Sequence, residues 1–527
     1  MSALSPCTTP GEALAARASE RGDQIAIILP GSGQQMTYAE WHQRANALAR
    51  ALVDAGVEPG VHIGLLAENR IEWPVVQMAV ALAGAVLVPL NTHFRPNDLA
   101  FALEKSEVEH LFLSEAFRNS NYLDMVRQVR DRLPLLDTII GLDGQAEDTV
   151  SYANMLEAGR KSAAALPDVD PDAVASLQFT SGTTGDPKGA LLTHAGMMAN
   201  AWGISGRLRV TPADRWITFI PLFHCAGCIM CILGTVQRGC TFLSMPSFDP
   251  LQMFSVMQDQ KCTILSGVPT SYLAMLDHPG RSGFDLSSLR AGTCGGADTD
   301  PELLRRCAEG FPVPGLVQVY GQTESSTLIS LADCEAPYRW ETCGPPLPGA
   351  TVRITDARTG AVLPVGETGQ IETAGPMVMR GYFKNPEGTA ETIGQDGWMR
   401  TGDLGNLTPD GYIVMAGGRL RDMVIRGGEN IYPVEIENLM REHAAIADIA
   451  VFGVPDDYYG EAVAAAVQLA APATADDLRA WCRERIAGYK VPDRIFSVAA
   501  FPLTASGKIR KTQLQQQASN GGLAPLD

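Results

Sequence analysis

The run Phe179-Thr180-Ser181-Gly182-Thr183-Thr184-Gly185-Asp186-Pro187-Lys188-Gly189 sets four hydroxyls, three glycines and a lysine in one loop between two apolar, strand-like stretches. Glycine lets backbone approach an anion and aim N–H groups at it, hydroxyls donate further hydrogen bonds, and an ammonium adds charge. The loop therefore has the chemistry to hold a polyphosphate. It departs from the Walker pattern, because Pro187 stands five residues after Gly182 and no Gly-Lys-Ser/Thr follows it.

Five further motifs follow in order: Pro221-Leu222-Phe223-His224-Cys225-Ala226-Gly227, Tyr320-Gly321-Gln322-Thr323-Glu324, Trp398-Met399-Arg400-Thr401-Gly402-Asp403, Gly418-Arg419-Leu420-Arg421-Asp422 with Gly427-Gly428-Glu429-Asn430, and Pro502-Leu503-Thr504-Ala505-Ser506-Gly507-Lys508-Ile509. Together with the loop they resemble the signature of the acyl-adenylate-forming superfamily, which includes acyl-CoA synthetases, luciferases and the adenylation domains of peptide synthetases. The resemblance runs from about residue 25 to about residue 511. It implies an acid–thiol ligase using ATP, Mg²⁺ and CoA. A carboxylate does not react with a thiol at neutral pH, since its leaving group would be oxide; conversion to a mixed anhydride with AMP removes that obstacle. The step needs an exposed α-phosphate, positive groups on the phosphoryl oxygens and a dry pocket for the acid.

By resemblance, Thr180, Ser181, Thr183, Thr184 and Lys188 contact the β- and γ-phosphates, while Gly182 and Gly185 let the loop close. Glu324 is implied as the magnesium ligand and Thr323 as the hydroxyl beside the α-phosphate. Tyr320, with Gly321 and Gln322 in the same motif, stacks on adenine, and Gly295-Gly296-Ala297 forms the other wall. Asp403 accepts from both ribose hydroxyls, and Arg419 reaches the ribose and phosphate region. Lys508 bridges carboxylate and α-phosphate during adenylation, then leaves for the thioester step. Gly427, Gly428 and Glu429 are implied at the pantetheine, and His224 at the gate between acid and thiol. The hinge, commonly Asp or Lys in the family, falls on Arg421.

Choice of acid is expected from the helix starting near Ala226. Ala226, Gly227, Cys228, Ile229 and Met230 are small or apolar, and no basic residue stands among them to pair with a second carboxylate. A hydrophobic acid fits, from a medium or long fatty acid to a ring-bearing one. Asp298 leaves two readings open: a helix cap before Pro301 to Cys307, or a partner for the ammonium of a carnitine-type or amino-acid substrate. The acceptor is expected to be CoA, with a carrier protein acting in trans as the alternative. An inactive nucleotide-binding relative is opposed by Lys188, Glu324, Asp403, Arg419 and Lys508 occurring together. Cys225, Cys228 and Cys231 carry iron–sulfur-like spacing, but Thr235 and Val236 stand where a fourth cysteine would be expected, and packing is the plainer reading.

The elements that must position these residues also have sequence marks. Residues 25–170 alternate helical segments, such as Ala45 to Ala55 and that from Trp73, with strands such as His62 to Ala67 and Ala85 to Pro89. A second set follows the loop: Trp216 to Ile220, Thr241 to Leu243 and Thr263 to Ser266. The expected fold is α/β, with a large N-terminal domain of two parallel, helix-covered sheets plus a small β subdomain after about residue 340. A mobile α+β C-terminal domain is expected to follow. Domain bounds are expected at 1–417 and 423–527, with 418–422 as the hinge.

A chain of 527 residues requires more than one core. Its net charge of −18 argues against a general nucleic-acid or anionic-membrane surface. The longest apolar run, Val75 to Val88, is broken by Gln77 and Gly84 and is short for a bilayer. No secretory signal is legible, and eleven scattered cysteines suit a reducing compartment, so a cytoplasmic location is expected. A small-molecule acid, ATP and CoA are the expected partners; a homodimer stays open.

Overall fold

The computed structural model describes residues 5–144, 146–180, 187–295, 301–311, 313–419, 422, 424–426, 429–431, 433–456, 460–486, 488–503 and 509–527. The chain divides into two compact units. One comprises Met1–Val352, Glu372–Arg400 and Thr408–Val414; the other comprises Arg353–Ile371, Thr401–Leu407 and Met415–Asp527.

The first unit carries two eight-stranded sheets. One runs in the order Ser330–Leu331, Gly315–Tyr320, Ala291–Cys294, Ile264–Gly267, Arg215–Thr218, Thr241–Ser244, Ile25–Leu29, Gln34–Thr37. The other runs Gly381–Tyr382, Lys188–Thr193, Val174–Thr180, Val86–Pro89, His62–Leu66, His110–Leu113, Thr138–Gly141, Val150–Ser151. Their central pairings are parallel, and antiparallel pairs occur toward the edges.

Expected grouping by sequence order is corrected at one strand. Ile25–Leu29 and its antiparallel partner Gln34–Thr37 join the second set through Thr241–Ser244, so the chain begins in the second set and then crosses to build the first from His62–Leu66 onward. The strand's continuous apolar run fits either sheet, and only the non-local partner decides.

Alternation within strands separates the cores. Ile264 and Phe112 join the central core, whereas their neighbours Leu265 and Leu111 point to outer cores on the far faces of the two sheets. The central core is shared by both sheets and filled by helices, among them Tyr38–Asp54, Glu72–Leu82 and His194–Arg207. Tyr38–Asp54 begins at a capping box in which Thr37 and Glu40 each satisfy the other's backbone N–H. Glu72–Leu82 has buried residues around nearly its whole circumference and ends before Gly84, whose φ of +68° closes the turn into Val86–Pro89.

A four-stranded sheet orders Thr351–Thr355, Gly369–Ala374, Met399–Leu407 and Ile413–Arg419, the β subdomain expected from the Gly/Pro-rich texture. In the second unit, strand Gly460–Leu469 pairs antiparallel with Ile446–Asp456 and parallel with Arg494–Ser497. Its Val463, Ala465 and Val467 pack on one core and Ala462, Ala464 and Ala466 on the other.

Ten of the eleven cysteines are buried free thiols, and Cys7 is half-buried. Among the described residues, no helix is long and apolar enough to cross a membrane.

Candidate active site

Val174–Thr180 turns back antiparallel into Lys188–Thr193, with Thr180 opposite Lys188. Both ends of the hydroxyl- and glycine-rich loop are thus held by a sheet. Ser181, Gly182, Thr183, Thr184 and Gly185 themselves lie outside the described residues. Gly381–Tyr382 extends the same sheet by pairing with Ala190 and Leu191. That pairing brings Tyr382 to the loop's lysine: Lys188 Nζ stands 5.0 Å from the tyrosine ring centroid. Lys188 has no carboxylate partner among the described residues, so its charge is available to a ligand.

Glu324 reaches this place from the other sheet. Strand Gly315–Tyr320 ends at Gly321, and Thr323–Ser325 forms one 3₁₀ turn. The return is tight enough that a Cβ on Gly321 would run into the Thr327 carbonyl and Leu328 Cα. Ser326 has φ of +58° and Thr327, a β-branched residue, +125°, conformations that cost energy and persist only where neighbours over-determine them. Those neighbours are specific. Asn200 Nδ2 donates to the Ser325 and Leu328 carbonyls at 3.1 and 2.7 Å. Ser326 Oγ donates to the Met377 carbonyl at 2.8 Å, and Thr327 Oγ1 to that of Cys225 at 3.3 Å.

The carboxylate so placed is 9% exposed, and its Oε1 accepts the Tyr382 hydroxyl at 2.7 Å. Oε2 has no hydrogen-bond partner among the described residues. Burial, then the Glu324 charge and its hydrogen bond, push the Tyr382 phenol above its ordinary range, so the hydroxyl remains a donor. A buried carboxylate with one oxygen fixed and the other unclaimed suits a hard divalent cation. Nearby, the Gln322 Nε2 amide is buried with no partner among the described residues, a donor left for a ligand. Tyr320, 7% exposed, closes the strand beside it.

His224 is exposed, and its Nδ1 accepts the Ala226 N–H at 3.1 Å. Cys225 lies beneath, with its Sγ 3.7 Å from both His224 Nδ1 and Thr323 Oγ1. Burial would raise that thiol, but the electrostatic effect of His224 and then the side-chain contacts with His224, Thr323 and Thr327 outweigh it and leave the thiol below its ordinary value. Thus the histidine motif and the Thr323-Glu324 motif meet through Cys225.

Ala226–Leu233 is a π-helix, wider than the expected α-helix. Side chains also bond its carbonyls: Gln77 Nε2 donates to the Cys228 carbonyl at 3.1 Å, and Thr235 Oγ1 donates at 2.7 Å to that of Cys231, which accepts the Gly234 N–H as well. Cys228 Sγ accepts from Gln178 Nε2 at 3.3 Å. Gly227 faces backbone: a Cβ there would lie 2.5 Å from the Pro221 carbonyl. Ala226 is half-buried, and Ile229 and Met230 are buried.

Gly295 follows strand Ala291–Cys294 so closely beside Val319 that no side chain would fit. Gly296, Ala297 and Asp298 lie outside the described residues. In the second unit, Asp403 is 7% exposed on strand Met399–Leu407, and its N–H donates to Thr401 Oγ1 at 3.1 Å. Arg419 closes strand Ile413–Arg419, and Glu429 opens strand Glu429–Ile431. Arg421, Gly427, Gly428 and Lys508 lie outside the described residues. Tyr382 and Asn200 are site neighbours outside the motifs, and Cys225 lies inside the histidine motif without a role at the site assigned from sequence.

A model of the AMP-binding enzyme family matches residues 14–383, and one of the AMP-binding enzyme C-terminal domain matches 435–508. The acyl-CoA ligase SidI of Aspergillus fumigatus is 35% identical over 97% of this chain and 91% of its own. The mitochondrial medium-chain acyl-CoA ligase ACSF2 of Mus musculus is 32% identical over 97% and 87%. Among solved structures, ATP-bound MatB from Rhodopseudomonas palustris superposes with a TM-score of 0.86 at 28% identity, covering 97% of this chain and 99% of that one. The chain belongs to the AMP-binding enzyme family, as an AMP-forming ligase of the acyl-CoA synthetase kind.

Proposed function

We propose that this protein activates a hydrophobic carboxylic acid as its acyl-AMP and transfers the acyl group to CoA. The observation that carries the reading is the pairing of an unclaimed cation, Lys188, with a buried carboxylate, Glu324, against one tyrosine at the end of the hydroxyl- and glycine-rich loop. Lys188, Thr180 and the loop residues 181–185 bind the β- and γ-phosphates. Tyr320, Gly321, Gln322 and the segment 295–297 hold the adenine, and Asp403 and Arg419 the ribose. Glu324 would hold a magnesium ion, which when bound neutralises phosphate charge during attack at the α-phosphorus. The acid's carboxylate oxygen attacks that phosphorus, pyrophosphate leaves, and Thr323 and Lys508 stabilise the charge between them.

In the second half-reaction the CoA thiolate attacks the acyl carbon and AMP leaves. Gly427, Gly428 and Glu429 line the pantetheine path, His224 gates it, and the segment 418–422, with Arg421, serves as the hinge between 1–417 and 423–527. The apolar wall from Ala226 to Met230 favours an acid without a second charge, since a buried unpaired carboxylate would be costly. Purified protein given ATP, Mg²⁺, CoA and a panel of fatty, ring-bearing and cationic acids should release pyrophosphate and yield acyl-CoA, identified by mass, with the first two classes. A carnitine-type product alone would move the specificity to Asp298. Thioester formed only on a carrier protein would replace CoA as acceptor.

A further inference from the structure

We infer that Tyr382 is a positioning residue for adenylation, acting through Glu324. The inference rests on the reading that Glu324 and Lys188 meet the triphosphate. Glu324 stands on a one-turn 3₁₀ segment with two left-handed residues immediately after it, so its backbone is fixed by strain-bearing contacts while its side chain has rotamers of its own. The Tyr382 hydroxyl is the one group among the described residues that fixes the carboxylate. Its 2.7 Å bond is charge-assisted, of the stronger class. By occupying Oε1 it orients the other oxygen, Oε2, toward a ligand.

The same residue addresses the opposite charge. Its ring face lies under the Lys188 ammonium, a weak attraction that holds the lysine near the loop and yields to phosphate. Tyr382 is only 9% exposed, and its pairing with Ala190 and Leu191 fixes its backbone to the strand that carries Lys188. One phenol therefore ties the carboxylate from one sheet to the lysine from the other before ATP arrives.

Tyr382→Phe keeps the ring and removes the hydroxyl. Outer-shell partners of metal-binding groups typically contribute about tenfold or more in metal affinity. Tyr382→Phe should weaken binding of Mn²⁺ with ATP, read by electron paramagnetic resonance, about tenfold, and raise the Mg²⁺ concentration for half-maximal pyrophosphate release in parallel. Binding of metal-free ATP, the KM for the acid, the melting temperature and thioester formation from supplied acyl-AMP should stay at wild-type values. Glu324→Gln should weaken the same binding, and adding Tyr382→Phe to it should cost nothing further, because the tyrosine acts through the carboxylate.

Wild-type Mn²⁺–ATP binding in Tyr382→Phe, or full additivity with Glu324→Gln, would overturn the inference. So would a loss confined to melting temperature and acid KM. Failure of the underlying functional reading is separate: the wild-type protein itself would then release no pyrophosphate with any acid.

Discussion

His194 opens helix His194–Arg207, is fully enclosed, and has neither ring nitrogen hydrogen-bonded among the described residues. Burial lowers its pKa from 6.5 to about 4, against the opposing charges of Asp170 and Glu12. Between those values the unfolded chain binds a proton that the folded chain refuses. The neutral imidazole therefore contributes stability above 6.5 that is lost as pH falls toward about 4, on the order of 3 kcal/mol at the limit. Urea unfolding across that window should show a steeper loss for the native sequence than for His194→Leu; parallel curves would mean the ring is protonated in place. Residue-scale legibility was uneven for a physical reason. Lys188 and Glu324 sit in motifs whose local composition marks them, whereas Tyr382 acquires its place only by adding a two-residue strand to a distant hairpin. Nothing near Gly381-Tyr382 in the sequence encodes that partner.

At the scale of elements, the π-helix Ala226–Leu233 depends on a close approach. With the Pro221 carbonyl 2.5 Å from the Cβ position of Gly227, Gly227→Ala must move backbone in the histidine motif. Stability should fall by about 1–3 kcal/mol, seen as a lower urea midpoint, with thioester synthesis falling as His224 shifts. An unchanged midpoint would show that the carbonyl yields freely. An apolar helix is legible here but not its wider pitch, because one of its carbonyls is bonded by Gln77, 151 residues away in sequence. Strand Gly460–Leu469 is hidden in the sequence for another reason. Its Ala-rich composition favours helix locally, and pairing on both sides overrides that preference. By contrast Glu72–Leu82 and Val86–Pro89 were legible, since Gly84 breaks one apolar run into two elements.

For the whole molecule, the proposed function requires adenylation from acid and ATP and then thioester formation from acyl-AMP and CoA, with different groups of the chain serving each. Lys508→Ala should depress acyl-AMP formation by orders of magnitude and leave transfer from supplied acyl-AMP to CoA intact, measured as pyrophosphate release and acyl-CoA yield. Equal loss of both would place Lys508 in both steps. The cysteines offer a way to watch the chain itself. Ten thiols are sealed in its interior, from Cys225 and Cys240 in the central core, through Cys262 and Cys307 beneath one sheet, to Cys482 in the second unit. An alkylating reagent can reach each only when its surroundings open. Mass-resolved labelling rates would then time the opening of each layer separately, in the native sequence and without an attached probe.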